Sequence, residues 1–281
     1  MVHVAMSPIN VDCRNRRVIN SGSMWPEMRH IGGLQFTLYD VMRGAAIAAS
    51  LALCVLLNRR QEISARKTLL IAAACVPVSI GAARLLNAIE YGATWTNLGS
   101  EFVRNTGSSI YGALFACVLL VVMLTRAMHI STLRFLDAGA PGIAVGEAIS
   151  RVGCFCAGCC YGETWNGPWA VVFPGGSFAA EDQRRRSVID STTAHSLPVH
   201  PVQLYGVIIT ALLTWVLIRR FRRRHQKGEV FFLLLIGYGA YRLAITPFRV
   251  EALPSMKLFS AIFIAAGILG LVWSGHARKP A

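Results

Sequence analysis

A chain of 281 residues that is 54% hydrophobic and only 15% charged, with a positive mean hydropathy, is too apolar for a soluble protein of its size and reads as polytopic membrane protein. Its net charge of +14 does not point to nucleic acid, because the basic residues gather at the ends of apolar segments, where anionic headgroups lie. No cleavable signal peptide stands out, since the first ~35 residues are polar and basic and the first long apolar run follows them.

Residues 1–35 read as an irregular leader carrying Arg14, Arg16 and Arg17. Residues 36–274 are expected to form an all-α integral membrane domain of seven transmembrane helices, and residues 275–281 a short basic tail. The first span, Phe36 to Leu57, opens with Tyr39, Asp40 and Arg43, and helical spacing puts Tyr39 and Arg43 on one face. An interfacial aromatic with a local ion pair and a role in a site are equally good readings of that face. The second, Thr68 to Tyr91, ends in a polar stripe of Arg84, Asn87 and Glu90, either a structural association or part of a site. A short loop with Trp95 and Arg104 leads to the third span, which starts near Thr106 in TGSSIYGA, small residues that permit close helix contact around Tyr111, and ends at Arg126.

The fourth segment, from Leu133, is interrupted by Asp137, Pro141, Gly142, Gly146 and Glu147, poor composition for a lipid-facing helix, so it is expected to be central and a candidate for breakage. Residues 163–199 are polar and form a small head, in which only WAVVF looks like strand and Arg184 to Arg186 follow. The fifth span, Pro201 to Ile218, opens with HPVQLYG and closes in RRFRRRHQK. The sixth, Val230 to Phe248, contains Tyr238, Tyr241 and Arg242 and exits through Pro247, Arg249 and Glu251, while the seventh, Leu258 to Trp273, has no charge. Loops after spans one, three and five and the tail are richer in Lys and Arg than those after spans two and six, which sets the C-terminus in the cytoplasm, the N-terminus outside and the head on the extracytoplasmic side.

The most informative stretch is Ile149 to Gly162, ISRVGCFCAGCCYG. Arg151 keeps its proton, so within a membrane it requires carbonyls, water or an anion, and an intramembrane charge marks function by default. Its segment end, the start of span five with His200, Gln203 and Tyr205, and the end of span six with Arg242 and Arg249 all face one side. Guanidiniums converging there with tyrosines and an amide suit a bidentate clamp on a lipid phosphate, with helix-to-helix linkage as the structural counterpart. Cys54, Cys75 and Cys117, single within spans, read as small packing residues. Cys154, Cys156, Cys159 and Cys160 have three readings: packing, a disulfide facing an oxidising side, or soft ligands for a metal or thiol relay.

At these positions the chain resembles the prolipoprotein diacylglyceryl transferase family of bacterial inner-membrane enzymes. Their signature, roughly G-R-x-G-N-F-x-N-x-E-x-x-G, is similar to SRVGCFCAGCCYG at Arg151, Gly153, Phe155, Gly158 and Gly162. H-P-x-Q-L-Y is matched by His200, Pro201, Gln203, Leu204 and Tyr205, and G-Y-G-x-x-R with a later arginine by Gly237, Tyr238, Gly239, Arg242 and Arg249. Gly81 with Arg84 and Tyr39 resemble further family positions. The signature's asparagines fall at Cys154 and Ala157 and its glutamate at Cys159. The family's span-three histidine falls at Tyr111, and the glutamate after the span-six arginine at Thr246.

The resemblance implies transfer of a diacylglyceryl group from phosphatidylglycerol to a lipoprotein-precursor cysteine thiol, with no cofactor, no metal and no nucleic acid, the partners being that phospholipid, the precursor peptide and membrane lipids. It implies catalytic roles for Arg151, Arg242, Tyr111 and His200, and substrate contacts for Tyr39, Arg84, Gly153, Cys154, Cys159, Gly162, Gln203, Tyr205, Tyr238 and Arg249. Two alternatives stand beside it: a relative that uses another acceptor or only binds lipid, and a membrane thiol or metal protein built on CFCAGCC.

Overall fold

A computed structural model describes residues 28–31, 34–90, 94, 96, 99, 109–224, 226–250 and 254–276. Arg14, Arg16, Arg17, Trp95, Arg104, Thr106, Glu251 and the tail beyond residue 276 lie outside the described residues. The chain divides into two compact units, one containing Arg66–Thr132 and the other Ile19–Ala65 with Leu133–Ala281.

In the first unit, α2 (Ala65–Glu90) and α3 (Ile110–Ala127) carry its membrane-type sequence. A Cβ at Gly112 would lie 2.5 Å from the Ala82 carbonyl oxygen, so the small residues expected to allow close helix contact do so here. The Cys117 and Cys75 thiols hydrogen-bond between these helices, in keeping with packing roles. Tyr111 is buried. No ion pair joins Arg84 to Glu90 among the described residues, so the structural alternative for that stripe is not seen as an ion pair.

The second unit begins with a short antiparallel pair, β1 (Met28–Ile31) and β2 (Leu34–Phe36), in a stretch whose sequence reads as irregular leader. Helix α1 (Leu38–Arg59) then starts at a capping box: the Thr37 side chain accepts from the Asp40 amide while the Asp40 carboxylate accepts from the Thr37 amide and hydroxyl. Asp40 is therefore a cap. Helix α4 (Thr132–Ala157) is continuous through Pro141, so it is not broken. Its glycines explain its composition. A Cβ at Gly142 would sit 2.7 Å from the Ser50 carbonyl oxygen, at Gly146 it would overlap the Ser50 hydroxyl at 2.1 Å, and at Gly153 it would lie 2.9 Å from Met42 Cβ. These positions seat α4 directly on α1 and make α4 the buried centre of its unit.

Asp137 is fully buried on α4, where its carboxylate accepts from the backbone amides of Gly228, Val230 and Phe231 at 2.8 to 3.0 Å. It thereby caps the positive end of α7 (Glu229–Ile245) from a neighbouring helix. Helices α6 (Val202–Arg223), α7, the 3-10 turn Thr246–Phe248 and α8 (Pro254–His276) complete the unit. Ile208 and Leu212 on α6 and Leu269 on α8 are exposed apolar side chains, as lipid-facing surfaces require.

Among the described residues, five helical stretches are long and apolar enough to cross a membrane: Leu38–Arg59, Ala65–Glu90, Val202–Arg223, Glu229–Phe248 and Ser255–Gly275. Tyr111–Ala127 is apolar but shorter, and α4, though 26 residues long, is too interrupted to join them by composition. The protein is an all-helical membrane protein apart from its short β pair.

Between α4 and α6 the chain packs Tyr161, Phe173, Ala179 and Val199 into a small core of its own. WAVVF is not a strand; Val171 makes a single bridge to Val199. The regular element there is α5 (Phe178–Arg185), capped by the Ser177 hydroxyl, which accepts from the Ala180 amide at 3.3 Å. Its arginines are structural: Arg184 donates to the carbonyls of Gly175 and Thr193, and Arg186 pairs with Asp182 at 2.9 Å.

Candidate functional site

The site grows from the end of α4. Gly158 adopts φ +69°, which lets the Cys159 amide donate back to the Cys154 carbonyl at 3.1 Å and closes the helix in a left-handed cap. Cys160 follows at φ +55°, a conformation that costs of order 1–3 kcal/mol for a residue with a Cβ and persists only where surroundings enforce it. The turn is held from α6: buried Gln203 donates its amide to the Cys159 carbonyl at 2.9 Å. These two turns bring the sulfurs of Cys154, Cys159 and Cys160 within 4.8 Å of one another, and Cys156 is not in the group. The described cysteines are free thiols, so the disulfide reading of these cysteines is not met. Tyr39 and Phe178 pack against Cys154, Ala157 and Cys159, while the Arg43 guanidinium lies 5.5 Å from the Tyr39 ring centre.

One turn before Cys154, Arg151 donates from Nε and Nη2 to Glu147 Oε1 at 2.9 and 2.7 Å. The pair is mostly buried, with side-chain exposures of 13% and 12%, so Glu147 is the counter-ion that keeps a guanidinium tolerable there. Both groups draw on one carboxylate oxygen, leaving Arg151 Nη1 for another acceptor. Gly206 on α6 provides the space: a Cβ there would lie 2.6 Å from the Tyr241 hydroxyl and 3.3 Å from Arg151 Cδ.

From α7, Tyr238, Tyr241 and Arg242 are buried, and Arg249 follows just beyond the 3-10 turn. Tyr241 lies in the electrostatic reach of Arg151, Glu147, Arg242 and Arg249, and Tyr238 in that of Glu147, Arg242 and Arg151. Arg242 donates to Met256 Sδ at 3.7 Å. The hydroxyls of Tyr238 and Tyr241, Arg249 Nε and Gln203 Oε1 are buried polar atoms without a hydrogen-bond partner among the described residues. Buried polar groups are satisfied in the great majority of cases, so the two hydroxyls and the Arg249 Nε–H left open beside three guanidiniums suit an anion, while Gln203 Oε1 can only accept. The Cys160 thiol is held well below its ordinary range by hydrogen bonds from Cys154 and Cys159, with Arg249 and Arg151 adding to the effect.

Gly162 and His200 join this region to the head. The Gly162 amide donates to the His200 carbonyl at 3.1 Å, and a Cβ on Gly162 would lie 2.6 Å from both His200 Cβ and the Phe248 carbonyl oxygen. The His200 ring stacks on Trp165 with centroids 4.3 Å apart, and its Nδ1 is 3.2 Å from the Tyr205 hydroxyl, which also accepts from Trp169 Nε1 at 2.8 Å. His200 and Tyr205 thus form an aromatic box and, among the described residues, make no hydrogen bond with Arg151 or the thiols.

The structure therefore brings together Arg151, Arg242, Arg249, Tyr238, Gln203, Tyr39, Gly153, Cys154 and Cys159, and sets His200 and Tyr205 with Gly162 at the edge. Tyr111 and Arg84 belong to the other unit. Sequence reasoning missed Glu147, Tyr241 and Gly206. The four-residue spacing of Glu147 and Arg151 was the available signal; Gly206 and Tyr241 had none, because their roles depend on the crossing of three helices.

A family model described as prolipoprotein diacylglyceryl transferase matches residues 26–273. The chain is similar to the phosphatidylglycerol–prolipoprotein diacylglyceryl transferase of Dehalococcoides mccartyi strain 195, at 25% identity over 257 residues covering 89% of this chain and 94% of that one. It is 26% identical to the protein of the same name from Synechococcus elongatus, over 88% and 86% of the two chains. The match to the Clostridium tetani protein of that name is 30% identical and spans 61% of this chain and 64% of that one. Matched over most of its length, the chain belongs to the prolipoprotein diacylglyceryl transferase family.

Proposed function

We propose that this protein transfers a diacylglyceryl group from phosphatidylglycerol to the cysteine thiol of a lipoprotein precursor, at the extracytoplasmic side of a bacterial inner membrane. The thiol sulfur bonds to the glyceryl carbon, the bond from that carbon to the phosphate oxygen breaks, the thiol gives up its proton, and glycerol phosphate leaves. The observation that carries this reading is the convergence of Arg151, Arg242 and Arg249 with the open hydroxyls of Tyr238 and Tyr241. Such donors are placed to disperse charge on a departing phosphate, the largest single demand of the step. A thiol with an ordinary pKa of about 8.5 also needs help to ionise near neutrality, and neighbouring guanidiniums supply it. Gly153 and Gly162 hold the approach of Tyr39 and His200, and Gln203 fixes the backbone between them. In this reading His200 takes the thiol proton and Tyr205 orients it.

The α4 helix and Tyr111–Ala127 complete seven spans in this arrangement, with the N-terminus outside, the C-terminus cytoplasmic and the 163–199 head external. In purified protein supplied with labelled phosphatidylglycerol and a precursor peptide, Arg151→Ala and Arg242→Ala should each abolish transfer while membrane insertion is retained. Transfer persisting in both variants overturns the clamp. Rescue of a cell depleted of its own diacylglyceryl transferase tests the acceptor, since the cysteines at 154 and 159 replace polar signature positions; lipid consumption without rescue assigns another acceptor.

A further inference from the structure

We propose that Cys154, Cys159 and Cys160 form a binding site for a thiophilic d10 cation, zinc(II) or copper(I), with one coordination position left open. Three sulfurs are already within 4.8 Å of one another. Zinc–sulfur bonds of about 2.3 Å at tetrahedral angles place sulfurs about 3.8 Å apart, so closure needs side-chain movement of only about an ångström. Sulfur-only donors select this class of ion over magnesium, calcium or manganese. The set is built by backbone: the Gly158 turn, the left-handed Cys160 and the Gln203 amide on the Cys159 carbonyl fix the two outer ligands relative to the helix-borne one. Cys160 is the least buried of the three, which leaves an entry side, while Cys154 and Cys159 are buried.

Charge favours the site as well. Three thiolates on zinc(II) carry a net charge of −1, and on copper(I) −2. Arg151 acts electrostatically on Cys154 and Cys160, and Arg249 acts on Cys160 with its Nε buried and unpartnered among the described residues. Binding releases the three thiol protons to solvent, and the guanidiniums offset the net negative charge that the filled site then carries. Structural metal sites close their coordination shell, whereas a site with three protein ligands keeps a position for an exogenous group. If the transferase reading holds, on which this last step rests, that position suits the acceptor thiol, which a d10 cation would deliver as a bound thiolate.

The test uses the purified full-length protein in detergent, reduced, stripped of metal and titrated separately with zinc(II), copper(I) and cobalt(II) as a spectroscopic stand-in. The expected result is one equivalent bound per chain, with thiolate-to-cobalt charge-transfer absorption. Cys154→Ser combined with Cys159→Ser should abolish both, whereas Cys156→Ser and Cys117→Ser should leave them intact. Should the double variant fail to fold, mapped alkylation of the wild-type protein decides: zinc or copper must protect Cys154, Cys159 and Cys160 and spare Cys156 from protection. Absence of the band, or protection that does not distinguish Cys156, overturns the site. Metal bound with full phosphatidylglycerol transfer in its absence would retain the site and remove its link to the acceptor thiol, and loss of transfer in Arg151→Ala with metal still bound separates the two readings.

Discussion

Arg151 is paired before any substrate arrives, and that pairing determines how it can act. A guanidinium bound at two nitrogens to Glu147 is positioned by its own helix, with Nη1 outside that pair. Breaking a buried pair by removing one member strands the other charge, a loss of about 3–5 kcal/mol in well-buried cases and less where water still reaches, as at 13% and 12% exposure. Glu147→Ala should therefore lower thermal stability in detergent by more than a surface change, and the Glu147→Ala/Arg151→Ala double variant should lose less than the sum of the two singles. Additive losses would mean that the pair is not coupled. The same variants separate structure from chemistry, because Glu147→Gln keeps an acceptor for Arg151 and should retain more transfer than Glu147→Ala. Arginine at 151 was legible as functional because a permanent charge in apolar sequence admits few explanations. Its partner was not singled out, because a glutamate among glycines and a proline looks like one more interruption until the helix is known to run straight through them.

Helices of this protein are placed by glycine more than by large side chains. On α4, a methyl group added at Gly142 would meet the Ser50 carbonyl oxygen at 2.7 Å, a backbone atom that cannot rotate away, whereas one added at Gly139, three residues earlier, has nothing within 4 Å. Alanine at these two sites should act in opposite directions. Gly142→Ala should force α1 from α4 and destabilise by about 1–3 kcal/mol. Gly139→Ala gains helix propensity without a clash and should stabilise by about 0.5–1 kcal/mol. Melting in the same detergent checks both, and a matching sign for the two would show that helix seating is not what the glycines provide. At this scale the sequence foretold helices and a central fourth segment from composition alone. It did not foretell continuity through Pro141, nor α5 in the head, whose eight residues are too few for a periodic signal, nor the capping of α7 by Asp137 from 91 positions earlier in the chain.

For the whole molecule, hydropathy and basic-residue bias reach further than any single contact, since both average over many residues. Five stretches satisfy length and apolarity outright, and outside the head the described helices that do not are α3, which is shorter, and α4, whose glycines and charges serve packing and the site. Family membership was legible for a similar reason, because arginines and glycines at fixed spacing survive where neighbouring polar residues have become cysteines. The orientation proposed from the basic loops can be tested directly. A protease site inserted in the exposed loop at Asp190–Ser191 should be cut from outside intact spheroplasts, while a C-terminal tag stays protected until the membrane is opened. The loop is a fair place for the insertion, because both residues are exposed and the nearby head core rests on Tyr161, Phe173, Ala179 and Val199. Protection of the loop with exposure of the tag would reverse the topology, placing the arginine cluster and its three thiols on the cytoplasmic side, where a secreted precursor's cysteine would have to be modified before export and not after it.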